Sequence, residues 1–374
     1  MSELASPAAD VDLIPPADAF FPSIPPLNIE LSARCNLKCP YCANPTLKRG
    51  YDDLGGELFD KIVAEARALG VKIWSLHGVG EPLLRRDLED LLKVLDATGL
   101  WPKWLLTNGT LLSEKRMATL YEAGLRGIYN SLDTLDPDLY ARTRGGKVEK
   151  AIQNVVAAAA AYPDVQFMVG LMNHREQVVD ATIRERFEAI YGALPNVSMH
   201  VYENARFPGG AEDWSRMAYE RSETCFAPSA NFTVNALGEV SLCCADQNTE
   251  HSLGNVAERT LYEIWYDRRS QETFRRVGLG LQGCPAVCYK CVLKPSQRRL
   301  EDVEPIFYAP LAELIAAARA ERDAGDFSVA KRYMDFALLR DPLNEEIKQA
   351  LTELEALTGQ KTRSYLQQYM DGGI

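Results

Sequence analysis

Histidine is scarce in this sequence: His77, His174, His200 and His251 are the four in 374 residues. So low a count argues against a histidine-based metal centre and against a hydrolytic triad. Positively charged residues are also too few to balance the acidic ones, since the net charge is −11, and no dense stripe of Lys and Arg is present. Both observations argue against a nucleic-acid substrate. No apolar run has the length of a membrane span, and the N-terminus lacks the pattern of a secretion signal, so we expect a cytoplasmic protein that makes no membrane contact.

Cysteine, in contrast, is plentiful, with nine residues. In a reducing compartment, cysteines in this number are better explained as metal ligands than as disulfides. The length, together with 47% hydrophobic and 25% charged residues, indicates a globular chain of two or three domains. Residues 1–26 carry six prolines and little periodicity, which predicts an N-terminal arm that forms no helix.

Residues 27–205 alternate short β-rich runs with amphipathic helical stretches. We predict strands at 27–32, 71–76, 103–106, 127–131, 165–171 and 196–202, and helices at 57–69, 85–97, 113–122, 147–161 and 174–190. Repeated βα units imply an α/β fold with a parallel sheet, either doubly wound or curved into a partial (β/α)6 barrel. Ligands of such sheets bind at the carboxyl ends of the strands.

The remainder of the chain differs in character. Residues 206–220 are assigned to a linker, and residues 221–300 form a cysteine-rich segment with short strands and turns. Residues 301–374 are predicted to be a helical tail, in which Gly325, Phe327, Ala330, Ala337 and Pro342 fall at the spacing of one tetratricopeptide repeat. The tail is interpreted either as a cap packed on the barrel or as a surface for a protein partner or a dimer.

Three cysteines, Cys35, Cys39 and Cys42, follow the first predicted strand at spacings of four and three residues. Three thiolates so spaced can bind a four-iron cluster and leave one iron open for chemistry. The alternatives are a zinc knuckle or a redox dithiol. A zinc site normally closes with a fourth ligand close by, whereas the next His is His77, in another segment, and the next Cys is Cys225.

Other polar groups lie at the ends of the next three predicted strands. A carboxylate can accept hydrogen bonds from an ammonium group, an arginine suits a carboxylate, and hydroxyl and amide groups suit a ribose. Ordinary turn and cap roles are the alternative at each position. The candidates are Gly80 and Glu81 after the second strand, Asn108 after the third, Ser131 and Asp133 at the fourth, and Arg144 beyond it.

In this order, the segments resemble those of radical S-adenosylmethionine (SAM) enzymes over residues 27–205. The resemblance implies that Cys35, Cys39 and Cys42 bind a [4Fe-4S] cluster chelated by SAM, whose reductive cleavage gives a 5'-deoxyadenosyl radical. It also implies that Tyr41 belongs to the cofactor site, that Gly80 and Glu81 hold the SAM amino group, that Asn108, Ser131 and Asp133 lie near the ribose, and that Arg144 binds the SAM carboxylate. Val79 interrupts the glycine pair usual in the family.

The second cysteine set comprises Cys225, Cys243, Cys244, Cys284, Cys288 and Cys291. With Gly238, it resembles the opening of SPASM and twitch domains, which carry auxiliary four-iron clusters. No cysteine follows Cys291, so the resemblance implies one auxiliary cluster bound by Cys225, Cys243, Cys288 and Cys291, with Cys284 as an alternative ligand. A tetrahedral zinc site is the alternative for four thiolates.

Other residues are candidates for catalysis on more general grounds. Cys244 and Cys284 remain as thiols that could return a hydrogen atom to a substrate radical, as in an epimerase, or that could simply be buried. Asn173, His174, Tyr202, Glu203 and Arg206 lie at or beyond the last strand ends and are candidates for substrate contact or proton removal, with surface-loop roles as the alternative.

These expectations converge on a radical SAM enzyme that dehydrogenates or epimerises a sugar or aminocyclitol of specialised metabolism. Maturation of a ribosomally made peptide is the alternative, which we favour less because 26 residues before the first strand are too few for a folded leader-binding domain. A non-catalytic, cysteine-rich metal-binding scaffold is a second alternative. The resemblance implies a reducing partner such as flavodoxin or ferredoxin.

Overall fold

The protein is described here from a computed structural model covering residues 16, 19–102, 104–203, 210, 212, 225, 227–291, 299–340 and 345–358. The chain divides into two compact units, one of residues 1–218 and 231–270 and the other of residues 219–230 and 271–374. The domain boundaries expected from the sequence remain predictions.

One nine-stranded sheet organises the first unit. The first six strands pair in parallel, each with its neighbour in sequence, which gives the order β6-β5-β4-β3-β2-β1. They are β1 (Leu27–Ile29), β2 (Ile73–Leu76), β3 (Trp104–Thr107), β4 (Gly127–Asp133), β5 (Gln166–Asn173) and β6 (Val197–Glu203). The sheet is open, and the predicted α/β partial barrel is confirmed.

Helices connect these strands and cover the sheet. They are α1 (Gly56–Ala68), α2 (Leu88–Thr98), α3 (Glu114–Glu122), α4 (Pro137–Thr143), α5 (Val148–Ala161) and α6 (Ala181–Tyr191). The helix α1 shows why the pattern folds this way, because Phe59, Ile62, Val63 and Ala66 recur at helical spacing and are buried. Side-chain caps begin others, as where Ser113 accepts a hydrogen bond from the Arg116 amide and Asp180 one from the Ile183 amide.

Three further strands continue the same sheet beyond β1. They are β7 (Phe232–Val234), β8 (Glu239–Ser241) and β9 (Ser252–Asn255), preceded by a short helix α7 (Ala227–Ala230) and followed by α8 (Leu261–Trp265). The strand β7 pairs in parallel with β1, whereas β8 and β9 are antiparallel. The β7–β8 turn contains Gly238 at φ 79°, a conformation that glycine adopts without strain. The sheet therefore continues into the segment that the sequence assigns to the cysteine-rich region.

The remaining helices are α9 (Arg268–Leu279), α10 (Ala286–Lys290), α11 (Leu300–Phe307), α12 (Leu311–Asp323), α13 (Phe327–Arg340) and α14 (Glu345–Thr358). The last four make the tail helical, as predicted. A turn with Gly325 at φ 84° separates α12 from α13, and apolar residues such as Leu314 and Ala337 are buried there. Within the parts of the chain described above, no helix combines the length and apolar character needed to span a membrane.

Candidate functional site: the cysteine loop and the strand ends of the barrel

The loop after β1 carries the first three cysteines. Cys39 is buried in an apolar cluster with Leu37, Tyr41, Leu139 and Met172, and Cys35, Cys42 and Tyr202 pack against that cluster. The Leu37 amide donates a hydrogen bond to Cys35 Sγ and the Asn44 amide one to Cys42 Sγ, each at 3.4 Å. Backbone donors aimed at sulfur stabilise negative charge on it, as metal-bound thiolates require.

The donor set fits an iron–sulfur cluster. Burial raises the pKa of all three thiols, that of Cys42 to about 12, so without metal they are protonated at neutral pH, and binding of iron replaces those protons. Within the described ranges, no three His, Cys, Asp or Glu side chains converge as a single metal ion requires. A four-iron cluster makes no such demand, because each of its cysteines binds a different iron.

The end of β2 packs directly on this loop. A side chain at Gly80 would place its Cβ 2.0 Å from the Ser32 carbonyl oxygen, so only glycine permits the contact. Val79 is buried against Ala33 and Ala236, which explains why an apolar residue stands within the glycine-rich turn. The Glu81 amide donates to the Arg34 carbonyl at 2.7 Å.

The Glu81 carboxylate joins the ends of β2 and β3. It accepts hydrogen bonds from the Leu83 amide (3.1 Å), the Thr107 hydroxyl (2.8 Å) and the Asn108 amide (2.8 Å). Burial raises the pKa of Glu81, and these hydrogen bonds oppose that rise without cancelling it. Three of about four acceptor positions of the carboxylate are thus used within the protein.

Asn108 connects the end of β3 to the cysteine loop. Its side-chain amide donates to Asn36 Oδ1 at 2.9 Å, and its oxygen accepts from the Thr110 amide and hydroxyl. Asn36 in turn donates to Thr110 Oγ1 at 2.9 Å. Asn108, which the sequence analysis predicts to lie near the ribose, therefore has a structural task, because it fixes the residue that follows Cys35.

Asp133, which is itself fully buried, is the centre of a polar cluster at the end of β4. Arg144 donates to both of its carboxylate oxygens at 2.6 Å, the Tyr202 hydroxyl donates to Oδ1 at 2.6 Å, and the Tyr41 hydroxyl donates to Oδ2. Burial alone would raise the pKa of Asp133, but the charge of Arg144 and these hydrogen bonds hold it below its usual value. All of about four acceptor positions are used, so a ribose hydroxyl would have to share or displace one of these donors.

Tyr129 and His200 form a further polar pair that sequence reasoning missed. The Tyr129 hydroxyl lies 3.0 Å from His200 Nδ1, and the imidazole stacks on Tyr202 with ring centroids 5.7 Å apart. Gly170 on β5 leaves room for the Tyr129 hydroxyl, which would lie 2.3 Å from a Cβ there. Burial lowers the pKa of His200 to about 4, so its imidazole is neutral at neutral pH.

Strand periodicity is the signal that could have found this pair. Tyr129, Ser131 and Asp133 alternate along β4, as His200 and Tyr202 do along β6, and residues two apart share one face of a strand. Ser131 is half-buried on this face.

The other candidates near the ends of β5 and β6 have different surroundings. Asn173 accepts a hydrogen bond from the Val179 amide at 2.7 Å, and the backbone of His174 pairs with Gln177, so both residues shape the turn after β5. Glu203 ends β6, but its side chain and all of Arg206 lie outside the described residues.

The second cysteine set is divided between the two units. Cys243 and Cys244 follow β8 in the first unit, whereas Cys225, Cys284, Cys288 and Cys291 belong to the second. The Cys284 thiol donates to the carbonyls of Arg276 (3.3 Å) and Leu281 (3.2 Å), and burial raises its pKa to about 11. Cys288 lies in α10, which ends just before Cys291, and both are partly exposed.

Comparison with known proteins agrees with this geometry. A family model described as the Radical SAM superfamily matches residues 29–185, and one described as an iron-sulfur cluster-binding domain, SPASM, matches residues 225–292. The second match contains all six cysteines of the second set.

Curated relatives and solved structures resemble the chain over parts of its length. A PqqA peptide cyclase from Rhizobium meliloti is 28% identical over 308 residues, which cover 72% of this chain and 80% of the relative. A probable GTP 3',8-cyclase from Methanosarcina mazei is 39% identical over 152 residues, covering 38% of this chain and 44% of the relative, so the chain spans less than half of that protein. The crystal structure of BtrN in complex with AdoMet and 2-DOIA has a TM-score of 0.50 at 22% identity, covers 74% of this chain and 97% of BtrN, and shows the likeness of fold alone.

An open parallel barrel with three thiols after its first strand, followed by a cysteine-rich segment, is thus matched in both parts by iron–sulfur families. Residues 29–185 therefore belong to the radical SAM superfamily and residues 225–292 to the SPASM iron–sulfur cluster-binding domains, which imply a SAM-binding [4Fe-4S] cluster and an auxiliary iron–sulfur site.

Proposed function

We propose that this enzyme removes a hydrogen atom from a carbon of its substrate and that the products are those of dehydrogenation or epimerisation. The observation that supports it is the packing of the thiol loop of Cys35, Cys39 and Cys42 against the polar ends of β2, β3 and β4. When bound, the first cluster supplies the electron that cleaves SAM to methionine and a 5'-deoxyadenosyl radical, and the auxiliary cluster supplies an acceptor for one electron.

The chain's own residues bind and orient the cofactor. We assign Cys35, Cys39 and Cys42 to the first cluster and Glu81 to the SAM ammonium group, since its carboxylate keeps an acceptor position beyond its three hydrogen bonds. Arg144 is assigned to the SAM carboxylate. Its guanidinium has five N–H donors, and two of its nitrogens already bind Asp133, which fixes the plane of the group.

Two outcomes follow from loss of the hydrogen atom. Loss of a further electron, to the auxiliary cluster, and of a proton completes a two-electron oxidation of the substrate, and Glu203, which ends β6, is the candidate from the sequence to accept that proton. Return of a hydrogen atom from a thiol instead gives an epimer. We favour oxidation, with Cys225, Cys243, Cys288 and Cys291 holding the auxiliary cluster, because the Cys284 S–H is buried and directed to the carbonyls of Arg276 and Leu281 rather than to a substrate.

For the substrate, we propose a small polar molecule such as a sugar or aminocyclitol. Tyr129, His200 and Tyr202 line one face of β4 and β6 with hydroxyl and imidazole groups suited to hydroxyl or amino substituents. The match to a probable GTP 3',8-cyclase, whose name specifies a small molecule, also supports this class. A peptide is the second candidate, favoured by the match to a PqqA peptide cyclase over 308 residues.

Anaerobic reconstitution tests the cofactor assignment. About eight irons per chain are expected from two four-iron clusters, with 5'-deoxyadenosine released on reduction in the presence of SAM. Replacing Cys35, Cys39 and Cys42 together by Ala should abolish SAM cleavage and retain the spectrum of the auxiliary cluster. Stoichiometric zinc without SAM cleavage would overturn the assignment and favour a metal-binding scaffold.

The substrate class is tested by isotope transfer. Candidate sugars, aminocyclitols and peptides deuterated at carbon are supplied with SAM and a flavodoxin or ferredoxin as the proposed reductant. Transfer of deuterium into 5'-deoxyadenosine from a small molecule supports the proposal, and transfer only from a peptide replaces it with the second candidate. Replacement of Cys244 or Cys284 by Ala should leave turnover unchanged if the reaction is an oxidation.

A further inference from the structure

A buried ion pair between Glu30 and Arg49 lies outside the residues assigned to SAM or to either cluster. Glu30 directly follows β1, and Arg49 lies seven positions beyond Cys42. The side chains are 2% and 6% exposed, and Arg49 Nη2 donates to Glu30 Oε2 at 2.5 Å. Both residues belong to the first unit, as do Cys243 and Cys244.

Glu30 joins three segments through one carboxylate. In addition to Arg49, it accepts hydrogen bonds from the Val79 amide after β2 and from the Ala236 amide in the β7–β8 turn, each at 3.1 Å. Gly78 makes room for this side chain, because a Cβ there would lie 2.3 Å from Glu30 Cγ. Glu30 therefore connects the segments around the cysteine loop to the β7–β8 hairpin, which leads to Cys243.

Arg49 extends the connection to the loop after Cys244. Its Nε donates to the Gln247 carbonyl at 2.9 Å. Two further hydrogen bonds join the same two segments. Gln247 Oε1 accepts from the Ala43 amide at 3.1 Å, and Asn248 Oδ1 accepts from the Lys48 amide at 2.9 Å. Ala43 directly follows Cys42, and Gln247 lies four positions after Cys243.

Stability alone explains this ion pair poorly. Apolar residues of similar size often serve a buried position as well as or better than two charges, whose removal from water is costly. Arg49 Nη1 is moreover buried without a hydrogen-bond partner in the described part of the protein. The guanidinium is thus placed to satisfy Glu30 and Gln247 together, although the N–H donors of its Nη1 gain no partner there.

We propose that Glu30 and Arg49 are positioning residues that fix the segment carrying Cys243 relative to the loop carrying Cys35, Cys39 and Cys42, and so set the distance from Cys243 to the first cluster site. The inference rests on membership of the radical SAM and SPASM families and on Cys243 as an auxiliary ligand, and it is independent of the substrate class. Electron exchange between two centres depends on their separation, so a shift of either segment changes the coupling between the clusters.

Arg49→Met tests this proposal by hydrogen exchange on the full-length, reconstituted protein without SAM. The amides of Ala43 and Lys48 and those of residues 245–250 should exchange about tenfold faster, because the two loops lose their common support. In the doubly reduced protein, the magnetic interaction between the clusters, seen in the electron paramagnetic resonance spectrum, should change. Both readouts are independent of turnover, so they can fail while the proposed function holds.

Arg116→Met is the matched control. Arg116 also pairs with a carboxylate, that of Glu89, and donates to a carbonyl, that of Arg85 at 2.8 Å, but it joins α2 to α3. The Arg116→Met variant should show the same amide hydrogen exchange in both loops, and the same magnetic interaction between the clusters, as the unmodified protein. The double variant Glu30→Gln with Arg49→Met leaves no unpaired buried charge and gives the same test if Arg49→Met alone does not fold.

Arg49→Lys keeps the positive charge but not the planar guanidinium. We therefore expect its amide hydrogen exchange rates to lie between those of the unmodified protein and those of Arg49→Met. Faster exchange confined to residues 43–49, with residues 245–250 and the cluster interaction unchanged, would overturn the proposal. Equal effects of Arg49→Met and Arg116→Met would overturn it as well, because general loosening would then account for both.

Discussion

At the scale of single residues, Asp133 connects more of the site than any sequence motif indicated. It lies at φ 70°, where β4 changes register against β5, a conformation that Asp tolerates better than most residues. Its carboxylate joins Tyr41 of the cysteine loop to Arg144 and to Tyr202 of β6. A residue expected near the ribose is therefore also the anchor of the residue preceding Cys42.

Asp133→Asn should lower the free energy of unfolding by about 3–5 kcal/mol, because the buried Arg144 guanidinium loses its counter-charge. Tyr202→Phe removes one hydrogen bond to the same carboxylate and should cost about 1 kcal/mol. Chemical denaturation of both variants measures the difference. Similar losses in the two variants would mean that the charge of Asp133 contributes little, contrary to this account.

The sequence could predict residues whose spacing reports their chemistry, such as Cys35, Cys39 and Cys42. It could not predict Glu30 with Arg49 or Tyr129 with His200. The members of these pairs lie 19 and 71 positions apart, and their contacts depend on how the fold brings these distant segments together. Nor did the role expected for Asp133 reveal that both of its oxygens are already occupied.

At the scale of elements, hydrophobic periodicity predicted the order and type of the first six strands, whereas their ends differ. The first strand, expected over 27–32, ends at Ile29, because Glu30 turns its carboxylate to Val79 and Ala236 and Ser32 bridges to Asp53. The fourth and fifth strands run two residues further than expected, to Asp133 and Asn173. Polar residues can continue these strands because their side chains form hydrogen bonds with residues distant in sequence or in the following turn.

Gly80→Ala tests the contact between the β2 turn and the cysteine loop. The added methyl group would meet the Ser32 carbonyl, part of a backbone that cannot move without shifting the loop, so we expect a loss of about 3 kcal/mol in unfolding free energy. Iron binding at the first site should fall with it, as measured by iron content and SAM cleavage.

Gly56→Ala is the control for that substitution. Gly56 begins α1, and a Cβ there would meet nothing within 4 Å. Stability should be unchanged or raised by about 0.5 kcal/mol, since Ala favours a helix. If Gly80→Ala behaves like Gly56→Ala, then close approach of the β2 turn to the loop is not required.

At the scale of the whole molecule, the sequence predicted an α/β barrel, a cysteine-rich segment and a helical tail, and the α/β fold with its helical tail is confirmed. It did not predict that β7 would add to β1. Pairing partners 205 positions apart, such as Leu27 and Phe232, leave no local pattern in either segment. The sequence predicted short strands and turns within residues 221–300, but not the sheet to which those strands belong.

The pairing of β1 with β7 also imposes an order on assembly. The strands β1 to β6 each join the preceding one, so they can associate as they leave the ribosome, whereas β7 must close a loop of some 200 residues to reach β1. The edge of β1 therefore stays unpaired until most of the chain has been synthesised. During that interval the cysteine loop can fold against β2 to β4, but Glu30 lacks the Ala236 amide and Arg49 lacks the Gln247 carbonyl. Completion of the first unit is thus a late step of biosynthesis, and the strands β7 to β9, with Cys243 between β8 and β9, are the last part of the sheet to arrive.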